Sequence, residues 1–414
     1  VTVVLEDAQA MAGELTELRH ALHADPEIGL ELPRTQEKVL AALDGLPLEI
    51  STGKRTTSVT AVLRGTAAAP DGPGEPPVVL LRGDMDALPV QEAADVPYAS
   101  RTAGAMHACG HDLHTAMLVG AARLLSRHRD RLRGDVVLMF QPGEEGWDGA
   151  GVMLDEGVLE AAGRPVDAAY ALHVFSGLVP RGRFVSRPGT IMSASDALHV
   201  TVRGAGGHGS TPHLAADPVP AVSAMVTGLQ TMVTREFDIF DPVVVTVGSL
   251  HAGTRRNVIP ETAAFEATVR TFSAASRERV MEAAPRVLRG IAAAHGVEVD
   301  VEYAGEYPLT TTDADETAHV ARTVGEVFGE DRYRTLEHPL GGSEDFSRIL
   351  GAVPGAFVGL GAVPVGADPA RAPFNHSPYA RYDDAVLPDG AALYAELALR
   401  RLGEFPRTAP SHHR

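Results

Sequence analysis

The sequence predicts an α/β fold: a mainly parallel sheet covered by helices, with a smaller ferredoxin-like α+β domain inserted into it. Three observations carry this expectation. At 414 residues the chain exceeds one ordinary core, so two domains are the default. Up to residue 189, short apolar runs rich in β-branched residues alternate with helical patterns, as buried parallel strands and their crossovers do. From residue 190 the strands alternate apolar and polar positions, and after 304 the first texture returns, so the expected boundaries are 1–189, 190–304 and 305–414.

The elements follow in order. Residues 7–23 repeat apolar positions at helical spacing. TSVTAVLRG (57–65), PPVVLLRGDMDALPV (76–90), GDVVLMFQPGEEG (134–146) and VDAAYALHV (166–174) have the length of buried strands, and HTAMLVGAARLLSRHRDRL (114–132) reads as a helix between them. SDALHVTVRG (195–204) alternates as a half-exposed strand. A helix over 217–236 follows, with Pro218 in its first turn. Then come strands over 242–250 and 261–272, a helix near 276–295 and a strand over 296–304, the β-α-β-β-α-β order of a ferredoxin-like layout. The tail EFPRTAPSHHR (404–414) reads as loose.

Composition excludes several classes. Hydrophobic residues make up 44% and charged residues 22%, the balance of a globular rather than a disordered chain. A net charge of −18 repels phosphate backbones, so nucleic acid is not an expected partner. No run of 18 apolar residues occurs, so no membrane association is expected. The first residues carry acids early and lack the basic start and apolar centre of a signal peptide, which points to the cytoplasm. A single cysteine excludes an intrachain disulfide and is compatible with a reducing compartment.

That cysteine, Cys109, lies in MHACGHDLH (106–114). Cys109 and His111 can share one side of a tight turn eased by Gly110, and thiolate and imidazole both suit zinc and its neighbours. The plain alternative is a buried thiol beside surface histidines. Glu144 and Glu145, in QPGEEG at a strand end, can divide metal binding and proton transfer between them, or form a solvated acidic loop. His173 follows the apolar run VDAAYAL, where a satisfied core histidine fits as well as a ligand. His376, in FNHSP, sits in an ordered turn or an ordinary surface loop. Asp84 and Asp86, in RGDMDALP, share one face of an extended segment, and if buried they need a cation or a histidine beside them. Supporting a histidine ligand is a natural role for such a carboxylate. Most of these blocks fall at strand ends, where open α/β sheets bind ligands, and together they supply what a two-metal hydrolytic site needs.

In this order, HACGHD, QPGEEG, ALHV, GGHGSTPH, RRNVIPE, GGSEDFS and NHSP resemble the metallo-amidohydrolases that include N-acyl-amino-acid aminoacylases, hippurate hydrolases and auxin-conjugate hydrolases. These belong to the larger aminoacylase and carboxypeptidase G metallopeptidase family. The match runs from LRHALHADPEIGLE (18–31) to NHSPYARYDD (375–384). The resemblance implies a catalytic domain interrupted by a lid and dimerisation domain. It implies that Cys109, His111, Glu145, His173 and His376 bind two divalent ions, whether zinc, manganese or cobalt. Glu144 would be the general base for the attacking water, and His208 in GGHGS would stabilise the oxyanion in the partner subunit's site. Asn257 and Arg270 would bind the carboxylate of the substrate, and Gly342 and Ser343 would offer backbone donors.

One departure stands out. The wider family opens with a His-x-Asp block and bridges its metals with an Asp; here Asp84 takes the first position and His111 stands where the bridging Asp would be. That favours the amidohydrolase branch and leaves open whether Cys109 bridges. The expected activity is hydrolysis of N-acyl amino acids by a homodimer or higher homo-oligomer. The alternatives are a metallo-dipeptidase or carboxypeptidase, and an inactive binding protein, against which the intact Glu144 and five ligand positions argue. His107 and His114 either support the ligands or only pack, Trp147 lines an acyl pocket or caps a loop, and His213 and His251 could touch substrate. His20 and His23 have no role legible in the sequence.

Overall fold

The computed structural model describes residues 2–67 and 75–404, so the expected loose tail lies outside the described residues from 405 onward. Backbone contacts divide the chain into two compact units: Val1–Gly189 with Thr311–Glu337 and Arg348–Arg414, and Thr190–Thr310 with His338–Ser347.

The first unit is built on a mixed α/β architecture with a large central sheet of eight strands. Their spatial order is Leu48–Thr52, Val59–Leu63, Asp135–Gln141, Val78–Asp84, Ala168–Phe175, Gly355–Gly361, Phe184–Ser186 and Tyr333–Thr335. The four strands in the middle, from Asp135–Gln141 to Gly355–Gly361, run parallel to one another. Every residue of these four is buried, so both faces of the sheet are covered. Val59–Leu63 is antiparallel to both neighbours. The connection 53–58 is too short for a crossover, which leaves a hairpin as the only joint. Its partner Leu48–Thr52 escapes the sequence reading because most of its side chains are exposed and it shows no apolar run.

Two helices differ from expectation. The helix read over 7–23 is two, Val3–Ala10 and Ala12–His23, broken at Met11. The helix read over 114–132 starts earlier and spans His111–Arg127, after Gly110 turns the chain through a left-handed φ of 86°. Its start is pinned from below. Asp112 is fully buried and accepts hydrogen bonds from Arg19 Nε at 2.7 Å and His23 Nδ1 at 2.8 Å, both on the helix Ala12–His23. His23 also meets Glu92 at 3.2 Å, and His20 meets Asp384 at 2.8 Å. Although burial opposes ionisation, Arg19 and His23 hold the Asp112 carboxyl far below the usual carboxylate range. These contacts give His20 and His23 a structural role.

The second unit has four antiparallel strands, Ala194–Arg203, Val243–Ala252, Thr262–Thr271 and Glu298–Tyr307. In space the second strand is followed by the third, the first and the fourth, with helices Pro218–Glu236 and Ala274–His295 completing a β-α-β-β-α-β order. Leu198, Val200 and Val202 alternate with partly exposed residues and pack with Val222, Met225, Val269 and Leu288 into a core of its own. Asp217 caps the first helix by accepting from the Val219 N–H at 2.9 Å. Among the described residues no helix is long and apolar enough to cross a membrane.

Substituting Arg19 with alanine strips Asp112 of its guanidinium partner in a dry interior. Breaking such a buried pair costs about 3–5 kcal/mol. Denaturant unfolding of Arg19→Ala is expected to show a loss of that size, and an unchanged midpoint contradicts it.

Candidate metal centre

Parallel strands deliver their carboxyl ends to one edge, and here register aligns Asp84 with Gln141 and Arg82 with Ala171. Past these ends lie Asp86 and the Glu144–Glu145 turn. The two carboxylate oxygens of Asp86 accept from the backbone N–H groups of Glu144 and Glu145, each at 3.0 Å, which fixes the turn. Gly110 closes the site from the other side. A Cβ there would stand 2.4 Å from Val174 Cγ2, so only glycine lets the Cys109 turn approach the strand that carries His173.

Five candidate ligands converge. Cys109 Sγ is 3.4 Å from His173 Nε2 and 3.3 Å from His376 Nε2. His376 Nε2 is 3.1 Å from Glu145 Oε1, and His111 Nε2 is 4.0 Å from the same oxygen. Cys109 belongs to two groups whose ligand atoms lie within 4.8 Å of one another, one with His111 and His173, the other with Glu145 and His376; Glu144 joins His111 and Glu145 in a third. With ligand bonds of about 2.0–2.3 Å, tetrahedral donors stand roughly 3.3–3.8 Å apart. The spacing therefore fits cations shared among these atoms.

The hydrogen bonding fits too. His173 Nδ1 can only donate to the Val174 carbonyl, at 3.0 Å, which leaves the lone pair of Nε2 facing Cys109. Neither nitrogen of His111 is hydrogen-bonded, although the ring is fully buried; its Nδ1 lies 3.4 Å from Asp86. Glu145 Oε1 has no well-aligned donor either. Buried polar atoms are rarely left so, and several aimed at a common point fit a metal.

His114 forms a further, fully buried group with Asp84 and His111, but its ring is fully committed. Nε2 accepts from the Val174 N–H at 2.8 Å, so Nδ1 carries the proton and donates to Asp84 at 2.5 Å. Asp84 is held in turn by Arg82, which bonds Gln141 at 2.9 Å. Asp84 thus supports the site through His114 and lies 3.7 Å from His111 Nε2. Sequence reasoning missed Arg82 and Asn375 and left His114 between supporting the ligands and packing, of which the first holds; a buried arginine within an apolar run was the available signal for Arg82. His107 is buried with neither nitrogen bonded, and burial pushes it down to about 3. Trp147 lies against Gly29 and is 54% exposed.

Charge follows geometry. Burial, with Glu145 nearby, pushes the Cys109 thiol up. Contacts with Cys109 and Glu145 push His376 up to about 10. Burial favours neutral His111, yet the Asp84 carboxylate and Cys109 raise it well above its usual value.

The remaining candidates lie in the second unit. His208 and Asn257 are exposed on neighbouring turns of a small ribbon in which His208 pairs with Val258. The Ser210 N–H donates to His208 Nδ1 at 3.2 Å, so in the neutral ring Nε2 carries the proton. Arg270, on the strand Thr262–Thr271, is partly buried with Nη1 unpaired. The Gly342 carbonyl accepts from Ser193 at 2.9 Å, and Ser343 beside it is partly buried. His213 and His251 are exposed.

A family model described as Peptidase family M20/M25/M40 matches residues 80–400. The chain belongs to this family. It is an M20 amidohydrolase, an enzyme acting on amide bonds. It is 36% identical to the IAA-amino acid hydrolase ILR1-like 2 of Arabidopsis thaliana over 94% of this chain and 85% of that protein. It is 33% identical to the thermostable carboxypeptidase 2 of Saccharolobus solfataricus, over 95% and 97% of the two chains. Its fold matches the crystal structure of Bacillus subtilis YXEP, described as a dinuclear metal binding peptidase from the M20 family, with a TM-score of 0.80 and 30% identity over 96% of this chain and 100% of that one.

The raised His376 and Cys109 values make a pH prediction. In the metal-free protein both groups hold protons at neutral pH, and a cation must displace them. Metal binding is expected to release protons and to tighten as pH rises from 7 towards the His376 value of about 10. Calorimetry in buffers of different ionisation enthalpy counts the protons, and His376→Gln is expected to release fewer.

Proposed function

We propose that the M20 enzyme hydrolyses the amide bond of N-acyl amino acids, giving a carboxylic acid and a free amino acid. In this reading Cys109, His111, Glu145, His173 and His376 would hold two divalent ions, zinc, manganese or cobalt. The observation that carries it is the membership of Cys109 in two groups of candidate ligands, one with His111 and His173 and one with Glu145 and His376. When bound, the ions supply Lewis-acid polarisation of the scissile carbonyl and a lowered pKa for the attacking water.

Glu144 is the general base. It is 6% exposed, and its backbone is locked by Asp86. It accepts the proton of the attacking water and passes it to the leaving nitrogen as the C–N bond breaks. His208, contributed across a homodimer through the inserted domain, donates from Nε2–H to the developing oxyanion; the tautomer set by Ser210 supports this. Arg270, with an unpaired buried Nη1, binds the substrate carboxylate together with Asn257 and the backbone at Gly342 and Ser343. The similarity to a carboxypeptidase supports a second reading, peptidase activity from the same machinery.

Release of free amino acid from N-acetyl, N-benzoyl, long-chain N-acyl and indole-acetyl amino acids, and from dipeptides, decides between them after chelation and refilling with each metal. Metal-restored release from an acyl class is expected; turnover of dipeptides alone moves the assignment to peptidase. Glu144→Gln is expected to keep its metal and lose about 10²–10⁴-fold in turnover. Mixing inactive His208→Ala with Glu144→Gln subunits is expected to restore activity, and failure to do so removes the shared site.

A further inference from the structure

The side-chain amide of Asn375 bonds through both of its N–H donors and through its oxygen. Nδ2 donates to the Cys109 carbonyl at 3.1 Å and the Val174 carbonyl at 3.0 Å. Oδ1 accepts from the Ser176 N–H at 3.0 Å, and the single hydroxyl proton of Ser176 lies between Oδ1 at 3.1 Å and the nearer Pro373 carbonyl at 2.9 Å. The orientation of the amide is not arbitrary, because two partners can only accept and the Ser176 N–H can only donate.

Asn375 and these partners belong to three stretches of chain that each bring a candidate ligand. Cys109 is itself one, Val174 follows His173, and Asn375 precedes His376. His376 is the least enclosed of the five, with a side chain 55% exposed. Its backbone takes a left-handed φ of 72°, a conformation costly for a residue with a Cβ. Its N–H donates to the Ala108 carbonyl at 2.9 Å, which ties the same turn. The surroundings must enforce this conformation, and the adjoining amide that spans all three stretches is the group placed to do it.

We propose that Asn375 is the positioning residue that fixes the separations among Cys109, His173 and His376 before any cation arrives. This rests on reading the cluster as a metal centre. Asparagine is the residue the arrangement requires: aspartate has its shape but no donors, and would set a carboxylate oxygen against two carbonyls at the 3.0–3.1 Å now spanned by hydrogen bonds. Serine offers one donor, too few for two carbonyls.

The test uses Asn375→Asp, which keeps the shape and deletes the donors, and Asn375→Ala, on the full chain. Because Cys109 is the only cysteine, its reaction with a thiol reagent in the chelated protein reports the site with no metal present. Both variants are expected to react faster than the parent while their denaturant midpoints stay close to it. Retention of cobalt against a competing chelator is expected to weaken roughly 10–100-fold, as for other groups that orient metal ligands. The cobalt–thiolate absorption is expected to shift in Asn375→Asp. An Asn375→Asp protein that protects its thiol and keeps its cobalt as the parent does overturns the proposal. So does a thiol that becomes reactive only as the whole chain unfolds, since that is the mark of general stability. If the parent itself binds no cobalt, the metal reading fails, and the thiol rates still decide the role of Asn375.

Discussion

The first unit is organised around one constraint: lone-pair donors gathered in a largely buried cluster repel one another unless they share something positive. Parallel strands force the gathering, because their carboxyl ends all open on one edge. Cys109, His111, Glu145, His173 and His376 meet there at separations too close for independent solvation. Arg82, Arg19 and the backbone N–H groups supply partial compensation around them. The unbonded nitrogens of His111 mark where compensation from the protein stops.

Around that centre each support acts on a different degree of freedom. Asp86 fixes the backbone of the two glutamates. The chain from Arg82 through Asp84 and His114 to the Val174 N–H fixes the height of the strand bearing His173. Arg19 and His23 hold the start of the helix that bears His111. Asn375 joins the turn of Cys109 to the strand of His173. Position is thus set by hydrogen bonds to backbone and carboxylates, while both nitrogens of His111 and Glu145 Oε1 are left unsatisfied.

Much of this was legible in the sequence, for physical reasons that differ by residue. The parallel strands could be read because burial on both faces leaves continuous apolar runs, as in VVLLRGD. Leu48–Thr52 could not, because an edge strand in water has no such run. The candidate ligands are residue types with few other reasons to meet at strand ends. Asn375 was hidden: an asparagine before a histidine in a turn looks like any loop residue until its partners, far off in sequence, are seen. His114 was ambiguous for another reason, since a histidine beside a ligand can support it or only pack, and its bonds to Asp84 and the Val174 N–H show that it supports. The start of the helix at His111 turned on the conformation of Gly110, which composition does not reveal.

The place of Gly355–Gly361 in the sheet bears on how the protein is made. This strand lies beside Ala168–Phe175, yet the ribosome delivers it only after the whole second unit has been synthesised. At about 5–20 residues per second, the interval is roughly 10–40 s. For that time the nascent strand Ala168–Phe175 has an open apolar edge, and the site lacks His376. The second unit, contiguous but for a short later segment, has most of its own core within reach meanwhile. The candidate metal centre is therefore among the last features of the chain to be assembled.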